Sequence, residues 1–242
     1  MEIPIRPRRY KKDLSFSYTF GVFPTLELLQ HQPKYTLGVF FHSKGVENTG
    51  IKKIETLCKE NKIPFEYQDK VFNRIGARGN DYAIGIFEKT DNKLQADSDH
   101  VVLVNPSGMG NLGTIMRTML GFNFKDLAIV QPAADVFHPE TIRASMGALF
   151  QLRLVPFESF NKYRVEFPRK LYPLMVDSEI EIHEARFESP YSLIFGNESS
   201  GLPAIFHSYG RSVKIKQSEK IDSFNIAISV GICLYEARNK KR

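Results

Sequence analysis

Three short stretches of this 242-residue chain hold residue types suited to chemistry rather than to filling a core. The first is Asn105-Pro-Ser-Gly-Met-Gly-Asn-Leu-Gly113, running into Thr114-Ile-Met-Arg117. Gly108, Gly110 and Gly113 spell G-x-G-x-x-G, which lets a backbone approach a dinucleotide pyrophosphate when it joins a strand to a helix. An acid further on would complete that fingerprint, and Asp135 is the candidate, although it follows Pro132-Ala-Ala in a loop rather than ending a strand. Asn111 and Arg117 add polar groups that a pyrophosphate loop does not need, and both can face one ligand if Asn111 precedes the helix. The second stretch is Gly196-Asn-Glu-Ser-Ser-Gly-Leu-Pro203, where two glycines bracket Glu198 and permit a tight path with exposed main-chain groups. The third is Lys216-Gln-Ser-Glu-Lys-Ile-Asp222, leading into Ser223-Phe-Asn225. Ser223 reads as the N-cap of a final helix, whereas Asn225 in its first turn has no comparable structural reason. No His, Cys, Asp or Glu spacing suggests a metal site, and His138 and His207 read as surface histidines.

The elements around these stretches explain why they lie together. From residue 100 onward, strands alternate with helices, as in a mostly parallel sheet covered on both faces. Strands are expected at 100–104, 127–130, 152–155, 171–176, 191–195 and 212–215, and a last helix from Ser223 to about Arg238. Ligands of such sheets sit beyond the carboxyl ends of the strands, where all three stretches fall. Ile226-Ala-Ile-Ser-Val-Gly-Ile-Cys-Leu-Tyr235 is apolar nearly all round, which predicts burial on several sides and a subunit interface as one of them. Before residue 90, a helix opening at Phe23-Pro24-Thr25, a strand over 35–41, a helix over 49–60 and a strand over 82–87 make a small α/β module. Asn73-Arg-Ile-Gly-Ala-Arg-Gly79 reads as a loop with two arginines, and the polar residues 91–99 as a linker. The domain organisation is therefore a basic tail at 1–14, a module at 15–90, the linker, and an α/β domain at 100–242.

Charge separates the ends from the body. The chain holds 33 Lys and Arg against 27 Asp and Glu, a net charge of +6. Arg6, Arg8, Arg9, Lys11 and Lys12 lie near the start, and Arg238, Lys240, Lys241 and Arg242 at the end. Basic ends on a near-neutral body suit attraction to a phosphate backbone, or serve solubility alone. Two cysteines, Cys58 and Cys233, make neither a disulfide framework nor a metal motif, which points to a reducing, cytoplasmic setting. No apolar run reaches the ~18 residues of a membrane helix.

Asn111-x-Gly113-x-Ile115-x-Arg117, Phe195-Gly-Asn-Glu-Ser-Ser-Gly-Leu202 and Ser223-Phe-Asn225 resemble, in order, the three motifs of the SpoU/TrmH family of RNA 2′-O-ribose methyltransferases. Arg143-Ala-Ser-Met-Gly-Ala148 resembles that family's helix between the first two motifs, and residues 15–90 resemble its ribosomal-protein-like substrate-binding domain. The resemblance implies a trefoil knot and a homodimer. It implies S-adenosylmethionine held against Gly196, Ile215 and Phe224, and Arg117 meeting the RNA phosphate or 2′-hydroxyl. Asn111, Glu198, Ser223 and Asn225 would then orient Arg117, the ribose and the donor. The substrate class is structured RNA, rRNA in preference to tRNA. The chain departs from the family in having Phe224 for the usual Leu and Lys216-Gln217 for a Pro-Met-like pair. The competing readings are a Rossmann-type NAD-dependent oxidoreductase, from the Gly108–Gly113 spacing, and an RNA-binding paralogue without catalysis.

Overall fold

The computed structural model describes residues 2–240, so Lys241 and Arg242 of the C-terminal basic cluster lie outside the described residues. The chain forms two compact units. One comprises the residues up to Thr90 together with Asp135–Gln151, and the other Asp91–Ala134 together with Leu152 onward.

The first unit is built on a four-stranded sheet. Its strands are β1 (Phe16–Phe20), β2 (Thr36–Phe41), β3 (Phe65–Tyr67) and β4 (Ala83–Glu88), in the order β1-β4-β2-β3. β4 runs antiparallel to both β1 and β2, and β3 is parallel to β2. Helices α1 (Val22–His31) and α2 (Thr49–Glu60) pack on each other. Asn48 caps α2, its side chain accepting from the Gly50 and Ile51 N–H groups, as expected where Asn precedes an apolar helical repeat. Arg74, expected in a loop, lies instead in the last turn of α3 (Asp69–Ile75), because Val71, Phe72 and Ile75 give that stretch a helical apolar face. Only after Gly76, in the left-handed conformation, does the chain leave the helix.

Two boundaries differ from the expected ones. The basic N-terminal stretch is not a free tail: Ile3 and Leu14 are buried, and Ile5 and Tyr10 pack against the same core as Phe16, Tyr18 and Ile84. The α/β domain is also not contiguous, since residues 135–151 complete the first unit. That segment carries Ile142, Leu149 and Phe150, all buried, and the Phe150 ring meets Phe87 edge-on at 5.0 Å. Arg143, in α5 (Pro139–Ser145), donates to the buried Asp81 carboxylate at 2.7 Å. Asp135 accepts from the Tyr10 hydroxyl at 2.5 Å and from the Phe137 N–H at 2.9 Å.

The second unit is α/β with a parallel sheet. β5 (His100–Val104), β6 (Asp126–Val130), β7 (Arg153–Phe157), β8 (Lys170–Pro173) and β9 (Tyr191–Phe195) lie in the order β7-β6-β5-β9-β8, every pair parallel. The chain steps outward from β5 to β6 and β7, then crosses to β8 and returns to β9 beside β5. The strand order therefore switches between β5 and β9, and a crevice opens at their carboxyl ends. Helices α4 (Met109–Gly121) and α7 (Ile226–Asn239) pack against each other, and α6 (Phe160–Glu166) lies against β6 and β7.

The sixth strand, expected at 212–215, does not form a ladder. Arg211 and Val213 donate to the Leu171 and Pro173 carbonyls, while Lys214 donates to Ile180 and accepts from Ile182. The segment divides its bonds between two flanking stretches, so only single bridges result. Among the described residues no helix is long and apolar enough to cross a membrane, and no cluster of His, Cys, Asp and Glu is arranged to hold a metal.

Candidate active site

The crevice is organised by Glu198. Gly196 and Gly201 close the loop after β9: Asn197 and Gly201 exchange backbone hydrogen bonds at 3.2 and 3.0 Å. A Cβ on Gly196 would lie 2.1 Å from the Gly201 carbonyl carbon, so only glycine permits this closure. The loop projects Glu198 at the start of α4. One carboxylate oxygen accepts from the Ser107 N–H and hydroxyl at 2.9 and 2.8 Å, and the other from the Gly108 N–H at 2.8 Å and the Asn111 amide at 3.3 Å. Gly108 is the N-cap of α4, so the carboxylate also meets the positive end of that helix. Desolvation pulls the Glu198 carboxyl upward, but the hydrogen bonds from Ser107, Gly108 and its own backbone outweigh it and hold it at about 2. Glu198 is thus an ionised strut between the two loops.

A second chain of bonds leads from this strut to α7. Asn111 lies inside the first turn of α4, not ahead of it, and its Oδ1 accepts from the Asn225 amide at 3.0 Å. Asn225 is the N-cap of α7, accepting from the Ala227 N–H at 2.9 Å. The helix therefore starts at Ile226, and the capping role expected of Ser223 belongs to Asn225. Ser223 is exposed and sits in the preceding loop. Gln217, part of the Lys216-Gln217 departure from the family pattern, braces that loop by donating to the Asp222 carbonyl at 2.8 Å.

Between the loops lies a cleft of about 280 Å³. Leu174, Val176, Phe195, Phe224 and Ile226 supply apolar wall, and Gly196, Glu198, Ser223 and Ser229 are among its polar lining. Asp222 adds a carboxylate. Ile215 does not line it, since it belongs to the stretch just past the bridged segment 211–214. Leu174 and Val176 were not foreseen as site residues: they lie just past β8, and nothing in their types distinguishes them from core. Asn197 was also missed, although an Asn between Gly196 and Glu198 signals a side-chain-stabilised turn. Its Oδ1 accepts from the Ser199 N–H at 3.0 Å, and its amide donates to the Asn105 carbonyl at 2.7 Å.

Arg117 stands apart from this set. Six residues at ~100° each turn it well away from Asn111 around α4. It is exposed, and among the described residues its guanidinium has no hydrogen-bond or ion-pair partner. The dinucleotide reading fails on the same geometry. The Ser107 and Gly108 N–H groups that a pyrophosphate would need are taken up by Glu198, and Asp135 is engaged by Tyr10 in the first unit.

Residues 99–235 match the SpoU rRNA Methylase family. An uncharacterised tRNA/rRNA methyltransferase of Synechocystis sp. is 30% identical over 145 residues, which is 58% of this chain and 53% of the relative. The 23S rRNA (uridine(2479)-2′-O)-methyltransferase of Streptomyces viridochromogenes is 29% identical over 146 residues, 57% of this chain and 51% of the relative. This chain thus spans about half the length of these curated relatives. The SpoU methyltransferase AviRb from Streptomyces viridochromogenes, solved in complex with the cofactor AdoMet, superposes with a TM-score of 0.80 at 20% identity. That likeness covers 94% of this chain and 91% of the solved one, and shows a common fold.

Proposed function

The chain belongs to the SpoU rRNA methylase family, and on that premise we propose that it transfers a methyl group from S-adenosylmethionine to a ribose 2′-hydroxyl of RNA. The observation that carries this reading is the strut: Glu198 ties the glycine-closed loop to α4 at the switch point between β5 and β9, and leaves a part-apolar cleft beside it. The residues of that cleft suit S-adenosylmethionine. Leu174, Phe195 and Phe224 offer apolar faces to an adenine, Ser223 and Ser229 offer hydroxyls, and Asp222 complements a cation. Bound there, the donor supplies an electrophilic methyl group on a positively charged sulfur.

The protein's own part is positioning and charge. Glu198, Asn111 and Asn225 hold the loop, α4 and α7 in one arrangement, which places two reactants as a near-attack pair. A guanidinium offers donors and no acceptor, so Arg117 is not assigned as the base. Its role is to hold an RNA phosphate or to stabilise charge developing on the 2′-oxygen. Its distance around α4 from the polar set fits a site completed by a second subunit, and the homodimer belongs to this proposal. Ile228 and Tyr235 support it: both are more than half exposed on α7, with the half-buried Gly231 and Ile232 between them. The trefoil knot is likewise part of the proposal, supported by the lodging of residues 211–214 between two earlier stretches before α7. So is a cytoplasmic location, which the two unpaired, buried cysteines suit. Ribosomal RNA is the favoured substrate, since the Streptomyces viridochromogenes relative is a 23S rRNA 2′-O-methyltransferase.

Calorimetry with S-adenosylmethionine and with NADH, followed by mapping of 2′-O-methyl groups on rRNA and tRNA from cells with and without the protein, tests the reading. Donor binding and loss of a single rRNA ribose methyl are expected. Donor binding with an unchanged methylation map would favour a paralogue without catalysis.

A further inference from the structure

The N-terminal stretch 3–8 alternates in burial. Ile3 and Ile5 turn inward and Pro7 is half-covered, while Pro4, Arg6 and Arg8 are exposed. That period of two is what an extended strap laid on a protein surface must show. The strap is held at both ends. Ile3 sits over Gly38, where a Cβ would come within 2.7 Å of the isoleucine Cγ1, and the Tyr18 hydroxyl both accepts from the Arg8 N–H at 3.1 Å and donates to the Arg8 carbonyl at 2.7 Å. Two prolines limit its backbone further. The outward side chains therefore project from a fixed track.

Together with Phe16 of β1 and Arg74 of α3, the strap encloses a cleft of about 520 Å³. Its lining holds three guanidiniums, from Arg6, Arg8 and Arg74, and no carboxylate. Among the described residues none of the three has an ion-pair partner, and Arg8 lies over the Phe16 ring at 6.0 Å. Three unneutralised cations around one concavity create a positive field that a chain of regularly spaced anions would relieve. Guanidinium forks match phosphate oxygens. We infer that this cleft is a phosphodiester-binding groove that captures the backbone of the RNA substrate, without reading its sequence. The inference rests on the RNA methyltransferase reading and deepens it by assigning a capture site in the first unit.

The test uses the full chain and a fluorescent RNA stem-loop of arbitrary sequence, with affinity measured across a salt series. Each phosphate contact contributes ~0.7–0.9 to the slope of log affinity against log salt. The triple variant Arg6→Gln, Arg8→Gln, Arg74→Gln should flatten that slope by about 2 and weaken binding on the order of a hundredfold near 0.1 M salt. The matching triple Lys variant keeps the charge and should keep most of the slope. A Gln triple with the wild-type slope, or a Lys triple as weak as the Gln triple, overturns the groove. Calorimetry with S-adenosylmethionine separates this outcome from the wider reading. Both triples should bind the donor as the wild type does, whereas a wild type that binds none would sink the methyltransferase reading and leave the groove to the salt slope alone.

Discussion

Glu198 and Arg117 are the two charges to which the proposed mechanism assigns opposite work. Glu198 accepts four hydrogen bonds, so Glu198→Gln leaves at least one N–H or hydroxyl facing an amide NH₂. A loss of about 1–3 kcal/mol of stability is expected, read from the shift of the urea midpoint. The pH dependence has a definite sign. The folded carboxyl sits at about 2 against an ordinary 4.5, so its stabilisation is full above 4.5 and drains away as pH falls toward 2. The Gln variant should lack that acid limb, and an identical limb in both proteins would assign it to other groups. Arg117 has no local partner to lose, so Arg117→Ala should fold normally and bind S-adenosylmethionine as before. Methyl transfer should fall at least ~100-fold, the usual effect of removing one charge-stabilising donor. Lost donor binding on calorimetry would move Arg117 to the cofactor side. At this scale the sequence disclosed which residues are polar and loop-borne, but not their partners. Nothing in Asn225 alone announces a tether to Asn111 114 positions away, because that contact exists only once α4 and α7 are packed.

Elements were legible where local pattern and tertiary burial agree. β5 and β9 are largely apolar, with only His100 and Ser192 as polar members, are buried at every residue, and their limits match the expected ones at both ends. α2, with Asn48 as its cap and one amphipathic face, is as clear. β1 was missed although Phe-Ser-Tyr-Thr-Phe alternates, since Ser17 and Thr19 are buried as well and hydrogen-bond inward. Residues 212–215 have strand composition, yet two partners divide their bonds. The start of α7 offers a separable test. Asn225→Ala removes both the cap and the tether and should cost ~1 kcal/mol of stability, read as a lowered thermal midpoint. Asn225→Asp keeps the acceptor for Ala227 but sets a carboxylate against the Asn111 carbonyl oxygen, so α7 should persist while activity drops. Equal activity in the Asp variant would show that the tether is idle. The outer face of α7 carries the assembly proposal. Ile228→Glu is tolerable in a monomer, because the side chain is 55% exposed, and should convert a dimer to monomers in sedimentation at micromolar concentration. A wild type that already sediments as a monomer ends the idea.

For the whole molecule, the two units are not successive pieces of sequence. Residues 135–151 belong to the first unit, and with them come the Asp81–Arg143 pair, the Phe87–Phe150 contact and the Gln151 amide donating to Glu27 at 3.0 Å. A fragment ending at Thr90 should therefore melt well below the full chain and bind a hydrophobic dye, and adding a peptide of residues 135–151 should reverse both. A fragment with cooperative unfolding at the full-length temperature would show the segment to be dispensable. Composition could not reveal this arrangement, because a helix of Pro139–Ser145 type looks the same whichever core it serves. The lodging of residues 211–214 between two earlier stretches bears on when the protein becomes competent. The proposed donor cleft needs Leu174 and Val176 on one side and Asp222 to Ser229 on the other, and the latter follow a segment that can seat only after 171–182 is in place. During synthesis the chain emerges from its amino end, so the unit carrying the arginine-lined groove is complete once residues 135–151 have joined it, and the cleft comes last. On the proposed reading a nascent chain would hold RNA before it could methylate it, because residues 222–229 emerge only near the end of synthesis.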